Sequence, residues 1–414
     1  MNHGCDEYDP KSLTVEQAQA LIDRIVEPVC GSERVFLRAA LDRVLSSDVT
    51  APFDVPPHRN SAMDGYALKA TDLPAGGEAR LAVIGESFAG RPFAGELAAG
   101  QAVRIMTGAV VPAGADTVVM QENVQREGDH ILVAPGQRAG DNVRHPGEDM
   151  KTGEVVLQAG RRLNAADIGL LASFGIAEID VYRRPVVAFF STGDELRGIG
   201  STLGEGDIYD SNRYTLHALL ERLPVAIRDM GVIPDDPAAV RAAFIEASAH
   251  ADVVITSGGV SVGDADYVKQ TLDALGKVDF WKIAMKPGRP LAFGRLGEAV
   301  FFGLPGNPVS VMATFILFAR PALIKRAGAT PVPPLTLKAR TRTRLKKRPG
   351  RKDYQRGILG QADDGTLAVD TTGLQGSHVL SSMSRANCFI ALPRDAGDIE
   401  AGEWVEVIPF GGLF

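Results

Sequence analysis

Cysteine is scarce in this sequence, and the few cysteines lie far apart. The chain has three, Cys5, Cys30 and Cys388, among 414 residues. None of them has the close pairing that is typical of a zinc site or a disulfide framework. The sequence therefore excludes a disulfide-stabilised scaffold and a zinc site of cysteine pairs. It also predicts a reducing compartment, and we expect the cytoplasm.

Long apolar runs and an excess of basic charge are also missing. The longest apolar stretch covers residues 309–319 and ends at Arg320 and Pro321, whereas a membrane span needs about 20 residues. We therefore expect a buried helix there, a soluble protein and no membrane segment. The N-terminus has neither a basic start nor an apolar run, so no signal peptide is predicted. The formal net charge of −7 argues against nucleic-acid binding, which needs a basic surface.

Glycine and proline, by contrast, are abundant. The chain has 45 glycines and 25 prolines, which suits a fold with many turns and strands and with loops that approach ligands closely. A chain of 414 residues is too long for one core, so two to four domains are expected.

The first part of the chain combines helical segments with a β-rich region. Thr14 and Gln17 have the spacing of a capping box, and the apolar positions after them predict an amphipathic helix over residues 14–29. Asn164 and Asp167 predict the start of another helix. Between these helices lie short apolar segments separated by glycines, which indicate strands. We predict a helical linker domain of residues 12–33 and 152–184, with a β-rich module of residues 50–151 inserted into it.

From residue 185 onward, apolar strands alternate with helices. Buried strands are predicted at residues 186–190, 252–256 and 300–304, an extended segment at 224–232, and helices at 213–223, 237–249 and 267–275. Such alternation predicts a three-layer α/β domain with a mostly parallel sheet. We assign residues 34–49 and 185–327 to this domain. After the PVPP linker at 331–334, short strands and turns predict a C-terminal β-barrel at 335–414.

Each predicted buried strand is followed by a loop of unusual composition. The loops read STGDEL, SGGVSVGDAD and PGNP. Ligands of open α/β sheets bind beyond the carboxyl ends of the strands, so we expect these loops to converge on one edge. The convergence brings together Glu195, Ser257, Gly258, Gly259, Ser261, Gly263, Asp266, Pro305, Asn307 and Pro308.

Two of these loops allow more than one interpretation. The glycines of the second loop fit either a tight turn or a cradle for a phosphate or a pterin, and the hydroxyls and the carboxylate beside them favour the cradle. Asn307 before Pro308 predicts a helix start, which is either a plain cap or an anion site.

Basic residues gather in two further segments. Lys282, Lys286 and Arg289 lie among prolines and a glycine. A solvated basic loop is the ordinary interpretation of such a run, but the prolines indicate a rigid loop and favour a preorganised oxyanion site. The stretch 338–356 holds ten basic residues and one acid, and from its less regular part we expect Arg351 and Arg356 to reach an anionic ligand.

Carboxylates recur at predicted loop positions, at Asp64, Asp149, Glu195, Asp235 and Asp266. Mg²⁺ takes oxygen ligands and often bridges to substrate phosphates. Two or three of these acids are therefore candidates to hold Mg²⁺ against a pyrophosphate, although any one of them alone is more often a cap or a surface charge. Asp64 lies in NSAMDGYA and Thr107 in RIMTGA, two segments that depart from strand alternation and so indicate functional loops.

Together these motifs resemble one known family. NSAMDGYA, IMTGA, GED, STGDEL, SGGVSVGDADY, KPGRP and GLPGNPVS occur in this order. The chain is identified as a member of the MoeA family, the molybdopterin molybdenumtransferases, which includes the E domain of gephyrin. The resemblance spans about residues 12–412.

The resemblance implies a multidomain fold and an activity. The α/β domain would bind molybdopterin, and the protein would be an elongated homodimer with its cleft between the α/β domain of one subunit and the β-rich module of the other. Adenylylated molybdopterin would bind there with Mg²⁺ and molybdate. Molybdenum would then be transferred to the dithiolate and AMP released. Handover partners would be the molybdopterin adenylyltransferase and the downstream cofactor enzymes.

The resemblance also assigns roles to residues. Asp64, Thr107, Glu195, Asp235 and Asp266 would be catalytic, and Glu195, Asp235, Asp266 and Asp149 would hold Mg²⁺. The substrate-binding set would be Ser257, Gly258, Gly259, Ser261, Gly263, Lys282, Lys286, Arg289, Pro305, Asn307, Pro308, Arg351, Arg356 and Ser377.

Two alternative functions stay open at this point. One is an adenylyltransferase that activates the pterin with the same α/β domain; the NSAMDGYA module and the barrel argue against it. The other is a non-catalytic scaffold or pterin carrier, against which stands the lack of a long disordered linker. Whether molybdate or tungstate is preferred is left open as well.

Overall fold

The computed structural model describes residues 12–74, 76–258, 266–411 and 413, with all their side chains except those of 266–270 and 280. The helices are α1 Val15–Ile25, α2 Ala165–Ser173, α3 Ser211–Leu220, α4 Pro237–His250, α5 Asp266–Leu275, α6 Pro308–Thr314, α7 Arg320–Arg326 and α8 Leu380–Arg385. A π-helical turn, Phe315–Ala319, joins α6 to α7.

Short and long strands alternate with these helices. Up to residue 182 they are β1 Ser32–Phe36, β2 Val49–Thr50, β3 Asn60–Ser61, β4 Gly65–Leu68, β5 Ala79–Ser87, β6 Gln101–Ile105, β7 Thr117–Met120, β8 Val124–Glu127, β9 His130–Val133, β10 Val143–Arg144, β11 Val155–Leu157 and β12 Glu178–Tyr182. Beyond it they are β13 Val186–Thr192, β14 Leu196–Arg197, β15 Ile208–Tyr209, β16 Ala226–Ile233, β17 Val253–Ser257, β18 Gly276–Lys282, β19 Met285–Lys286, β20 Pro290–Leu296, β21 Ala299–Leu304, β22 Leu337–Thr341, β23 Lys352–Gln361, β24 Leu367–Thr371, β25 Cys388–Leu392 and β26 Trp404–Pro409.

The described residues form two compact units. One unit comprises residues up to Ser47, Gly160–Ile168 and those from Ala177 onward, and the other comprises Asp48–Ala159 and Gly169–Ile176. The larger unit holds the α/β sheet and the barrel, and the smaller unit holds a separate six-stranded sheet.

The α/β sheet has the strand order β16-β13-β17-β21-β20-β18. Its first four strands pair in parallel, whereas β20 and β18 are antiparallel additions. This confirms the predicted α/β fold class. Neither β18 nor β20 was predicted from the sequence. β18 lies at the edge of the sheet, and its segment GKVDFWK has no continuous apolar run. β20 lies inside the sheet, but Gly294 and Arg295 interrupt its apolar run.

Helices cover both faces of this sheet. On one face, Phe190 and Phe301 pack with residues of α4 and α5. On the other, Phe189 and Phe302 pack with residues of α1, α3, α6 and α7. Adjacent residues of one strand thus enter opposite cores, as the alternation of strand side chains requires. The result is the predicted three-layer arrangement.

The apolar segment after residue 308 is a core helix. The continuous helical run Pro308–Arg326 is long and apolar enough to cross a membrane by length and composition, but 67% of its window is buried within the protein. Burial of this kind is typical of a core helix. The prediction of a buried helix is confirmed.

The first helix begins as predicted but ends earlier. Thr14 and Gln17 form the capping box, with the Gln17 backbone N–H donating to Thr14 Oγ1 at 3.2 Å. The predicted extension to residue 29 is wrong, because α1 ends at Ile25 and Val26 is extended. Pro28 is the cause: it disfavours helical geometry at the residue before it and supplies no N–H.

The smaller unit contains the sheet β7-β4-β6-β5-β9-β8. Its pairs are antiparallel except β5 with β6. Apolar side chains pack on both faces, Val103 and Val118 in one cluster and Tyr66 and Val119 in the other. The β-rich character predicted for this part of the chain is confirmed.

The C-terminal strands close into a barrel. Strands β23, β24, β22, β26 and β25 pair in sequence, and β25 returns to β23. Its interior is filled by apolar side chains such as Val369, Ile390 and Val407. The short strand β19 pairs with β23 from outside the ring. The predicted β-barrel is confirmed.

One predicted domain boundary falls inside a strand. Strand β1 spans the proposed division between residues 33 and 34, and it pairs with β12 along five residues. Strand β1 therefore belongs with β12, which precedes the α/β sheet in the chain, and not with the α/β sheet itself. The division into four domains otherwise remains a prediction.

We expect Phe244→Ala to destabilise the α/β domain. Phe244 is 1% exposed, and its ring lies 5.3 Å from that of Phe190 and 5.6 Å from that of Phe301 between centroids. Truncating a buried Phe costs about 3–5 kcal/mol, which urea denaturation would measure. The neighbouring Ile245 is 45% exposed, so Ile245→Ala serves as the control and should change the free energy of unfolding by less than about 1 kcal/mol. Equal losses would contradict the packing.

Candidate functional site

A basic cleft lies in the larger unit, where the segment after β18 meets the barrel. We call it the basic cleft; it has a volume of about 810 Å³ and is lined by Lys282, Met285, Lys286, Pro287, Gly288, Arg289, Pro290, Asn307, Ser310, Arg351, Gln375, Gly376, Ser377 and His378. Four of these residues are lysine or arginine. None of the described lining residues is an aspartate or a glutamate. Such a surface attracts oxyanions.

Backbone pairing places the two lysines of the basic cleft. Lys282 is the last residue of β18, and Lys286 lies in β19 beside Asp353 of β23. The predicted loop is thus partly strand. Gly288, two residues after Lys286, has a φ of +97°, and a Cβ there would lie 2.6 Å from Thr314 Cγ2. Glycine is therefore required for this close approach.

The opposite wall of the basic cleft is a barrel loop held by Arg356. The Arg356 guanidinium donates to Ser382 Oγ and to the Gly376 carbonyl, both at 3.0 Å. Arg356 is 1% exposed, and burial lowers the pKa of its guanidinium to about 10. Arg356 is not among the residues that line the basic cleft, and its hydrogen bonds support the loop from behind; its predicted contact with an anionic ligand stays a prediction.

The same loop touches the helix that follows β21. The Val309 N–H donates to the Ser377 carbonyl at 3.1 Å. Asn307 is the N-cap of α6, but its side chain makes no capping hydrogen bond. The predicted helix start is confirmed. Of the two interpretations of Asn307, the plain side-chain cap is not formed. The Asn307 side chain instead lines the basic cleft.

A second group of predicted residues lies at the carboxyl edge of the α/β sheet. Asn212 of α3 donates from Nδ2 to Ser257 Oγ at 2.9 Å and to the Gly306 carbonyl at 2.7 Å. It thereby links the loops that follow β17 and β21. Gly258 has a φ of +91°, and a Cβ there would lie 2.8 Å from the Thr192 carbonyl oxygen. Pro305 is buried and Pro308 opens α6.

Acidic residues follow the neighbouring strands of this edge. The Asp235 N–H donates to Asp194 Oδ1 at 3.1 Å, which ties the loop after β16 to the loop that carries Glu195. Within the described ranges, no three His, Cys, Asp or Glu side chains are grouped to hold a metal ion. Gly259, Ser261 and Gly263 lie outside the described residues. Asp266 begins α5, and its side chain is likewise outside the description.

In the smaller unit, two predicted residues are in direct contact. The backbone N–H and the hydroxyl of Thr107 both donate to Asp64 Oδ1 at 2.8 Å. These two donors hold the pKa of the Asp64 carboxyl below its usual value, the backbone donor first. Asp149 lies in a turn of the same unit, where its N–H donates to the Val55 carbonyl at 3.0 Å.

Several residues at these sites were not predicted from the sequence. Ser310, Gln375 and His378 line the basic cleft, and Asn212 ties two loops of the sheet edge together. Asn212 follows the strand β15 at the start of α3, and a polar residue there is indistinguishable from a helix cap by sequence. Ser310 lies in an apolar stretch, so only its position in the first turn of the helix beginning at Pro308 would have indicated it.

Three family models match successive parts of the chain. The MoeA N-terminal region (domain I and II) matches residues 13–175, the probable molybdopterin binding domain matches residues 188–325, and the MoeA C-terminal region (domain IV) matches residues 338–410. Together they cover nearly all of the described chain.

Full-length relatives and solved structures are similar as well. A molybdopterin molybdenumtransferase of Haemophilus influenzae is 45% identical over 97% of this chain and 99% of its own length. One from a Nostoc species is 38% identical over 91% of this chain and 88% of its own length. The crystal structure of the molybdopterin biosynthesis moeA protein from Pyrococcus horikoshii OT3 covers 96% of this chain and 100% of that chain, with 32% identity and a TM-score of 0.85.

We expect Thr107→Val to raise the pKa of Asp64, because one of the two donors to its carboxylate is lost. The pKa should stay below its usual value, since the backbone N–H remains. Because folding lowers this pKa, the interaction stabilises the folded state above the unfolded-state pKa of about 3.9 and is lost as the pH falls further. Carbon-detected NMR titration measures the shift. Thr107→Ser keeps the hydroxyl and should behave as the wild type; a Ser variant that titrates like the Val variant would contradict the assignment.

Proposed function

We propose that this chain, which belongs to the MoeA family of molybdopterin molybdenumtransferases, inserts molybdenum from molybdate into adenylylated molybdopterin with release of AMP. Family membership makes it a transferase of molybdenum cofactor biosynthesis. The use of the adenylylated pterin, the release of AMP and the dependence on Mg²⁺ are the specific parts of the proposal.

The observation that carries the proposal is the charge of the basic cleft. Molybdate is a tetrahedral dianion, and Lys282, Lys286, Arg289 and Arg351 face one space with no carboxylate among the described lining residues. Charge-assisted hydrogen bonds from such donors contribute about 1.5–3 kcal/mol each. The hydroxyls of Ser310 and Ser377 add neutral donors of the kind that oxyanions accept from. The cleft is therefore suited to hold molybdate.

The pterin nucleotide is assigned to the carboxyl edge of the α/β sheet. There Gly258 brings backbone close to the strand ends without a Cβ, and Asn212 fixes the relative positions of two loops. Ligands of such sheets bind outside the carboxyl ends of the strands. With Ser257, Gly259, Ser261 and Gly263, this edge would cradle the phosphates, and Pro305 and Pro308 would limit loop movement.

The carboxylates at this edge suit an Mg²⁺ site in which substrate phosphates would supply some of the ligands. Mg²⁺ is commonly held by one or two protein carboxylates together with waters and substrate phosphates, so a preformed group of three acids is not required. Glu195 and Asp235 lie on adjacent loops that are tied together through Asp194. We assign Glu195, Asp235 and Asp266 as candidate ligands at this edge, whereas Asp149 lies in the smaller unit and is a candidate from the family resemblance alone. Bound Mg²⁺ would neutralise the charge of the pyrophosphate.

The proposed reaction needs no change in oxidation state. Two Mo–S bonds replace two Mo–O bonds, and the released oxygens leave as water after taking up protons. Water cleaves the phosphoanhydride, and AMP departs with its phosphate. Lys282 and Lys286 hold the oxyanion, while Asp64 and Thr107 are proposed to act on the substrate as a hydrogen-bonded pair.

The resemblance to the family supports further, coarser proposals. We propose a homodimer in the cytoplasm that receives adenylylated molybdopterin from the molybdopterin adenylyltransferase and passes its product to downstream cofactor enzymes. The adenylyltransferase alternative is disfavoured because the full-length relatives include the β-rich module and the barrel. A pure scaffold would not need a cleft whose described lining residues include four cations and no carboxylate.

The function is tested by mixing the full chain with adenylylated molybdopterin, Mg²⁺ and molybdate and measuring AMP. We expect AMP release that requires molybdate, and a loss of release when EDTA removes Mg²⁺ that excess Mg²⁺ restores. Tight pterin binding without AMP release would instead indicate a carrier. AMP release that EDTA leaves unchanged would contradict the magnesium assignment alone.

We expect Lys286→Gln to weaken the use of molybdate. Loss of one charged donor of about 1.5–3 kcal/mol corresponds to a rise in the KM for molybdate of roughly 10–150-fold. Steady-state AMP release at varied molybdate measures this. The control is Lys338→Gln, which removes the same charge from an exposed position of β22. A similar KM in both variants would contradict the placement of molybdate in the basic cleft.

A further inference from the structure

A second basic space adjoins the basic cleft on the barrel side. We call it the barrel hollow; it has a volume of about 520 Å³ and is lined by Lys286, Lys346, Lys347, Arg348, Arg351, Asp353 and Asp398. Lys286 and Arg351 line both spaces. The two spaces are therefore neighbours that share two cations.

The charge of the barrel hollow is strongly positive. Five lining residues are cations and two are acids. Asp398 already accepts from the Arg344 guanidinium at 2.9 Å and from the Lys347 N–H at 2.8 Å. Asp353 is 6% exposed, and burial raises the pKa of its carboxyl. With five cations and two acids, the lining has a formal excess of three positive charges, although the whole chain carries a net charge of −7.

One of the cations is built into the wall. Lys347 is 6% exposed, and its ammonium donates to the carbonyls of Arg348, Arg394 and Ala396 at 3.0–3.2 Å. These three carbonyls use the three protons of the ammonium. None of these three hydrogen bonds is made to a carboxylate. The electrostatic field of a fixed, buried charge is screened less by water than that of a solvated charge, so it extends further.

The pairing of β19 with β23 joins the two spaces. Met285 lies opposite Lys352 and Lys286 opposite Asp353, and the Lys352 N–H donates to the Ala284 carbonyl at 2.9 Å. This places Lys286 on the wall between the barrel hollow and the basic cleft. Lys286 would therefore lie beside an anion in either space.

We propose that the barrel hollow is a second binding site for a tetrahedral oxyanion, from which the anion passes to the basic cleft along Lys286 and Arg351. The identity of the anion rests on the proposed function, under which it is free molybdate. The phosphate of the nucleotide has the same shape and charge chemistry. A basic space beside the substrate site raises the local concentration of an anionic substrate. We therefore expect the effect of the barrel hollow to be largest at low substrate concentration.

Equilibrium dialysis of the full chain against molybdate, with bound molybdenum counted by mass spectrometry, tests the proposal. We expect two sites in the wild type. The exposed Lys346 and Arg348 line only the barrel hollow, so Lys346→Ala with Arg348→Ala should remove one site and leave the other within about twofold. Lys346→Gln alone, a milder change, should weaken that site roughly 10-fold.

The matched control removes two cations from another face of the same barrel. Lys338 and Arg340 lie exposed on β22 and line neither space. Lys338→Ala with Arg340→Ala should keep both sites. A single site in the wild type, or equal binding by the test and control variants when thermal melts show both folded, would overturn the proposal.

Competition and turnover separate the remaining outcomes. Displacement of molybdate from the barrel hollow by phosphate or AMP at lower concentrations than molybdate itself would identify the nucleotide phosphate as the occupant. If neither phosphate nor AMP displaces molybdate at such concentrations, the occupant is molybdate. Two sites without any AMP release would refute the proposed function but not the second site. AMP release with kcat/KM for molybdate unchanged by the hollow variants would overturn the proposal while leaving the function intact.

Discussion

A short backbone pairing between β19 and β23 organises the basic side of this molecule. It covers two residue pairs, Met285 with Lys352 and Lys286 with Asp353. Around it, apolar residues of the α/β domain and the barrel share one core, in which Met285 and Phe315 pack with Tyr354 and Phe389. Because the core is continuous, the barrel is held against the segment that follows β18. The basic cleft has walls from both parts, so it depends on this attachment.

The attachment also explains how so much positive charge is gathered in an acidic protein. Cations repel one another, and a protein tolerates them together where each is held by neutral oxygens or buried hydrogen bonds. Lys347 is held by three carbonyls, and Arg356 by a hydroxyl and a carbonyl. These two residues build the walls, while Lys282, Lys286 and Arg351 line the space. An oxyanion would relieve their mutual repulsion.

In the smaller unit, one backbone donor and one hydroxyl donor orient a carboxylate. Asp64 accepts two hydrogen bonds from Thr107, and the two residues are 43 positions apart in the chain. Strands β4 and β6 pair antiparallel and bring the loops at their ends together. The carboxylate is thereby kept ionised and oriented. An ionised, oriented carboxylate is suited to hydrogen bonding a substrate or binding a cation.

Local patterns in the sequence determined the capping box at Thr14, the buried parallel strands, the core helix after Pro308 and the identity of the family. These features depend on neighbouring residues, because caps, periodicity and motifs act within a few positions. Tertiary structure decided the rest. Three contacts each join residues at least 20 positions apart: the pairing of β19 with β23, the hydrogen bonds of buried Arg356 to its loop, and the bridge made by Asn212. Such contacts form only when distant segments pack against each other in the folded chain. The local sequence pattern does not show which segments do so.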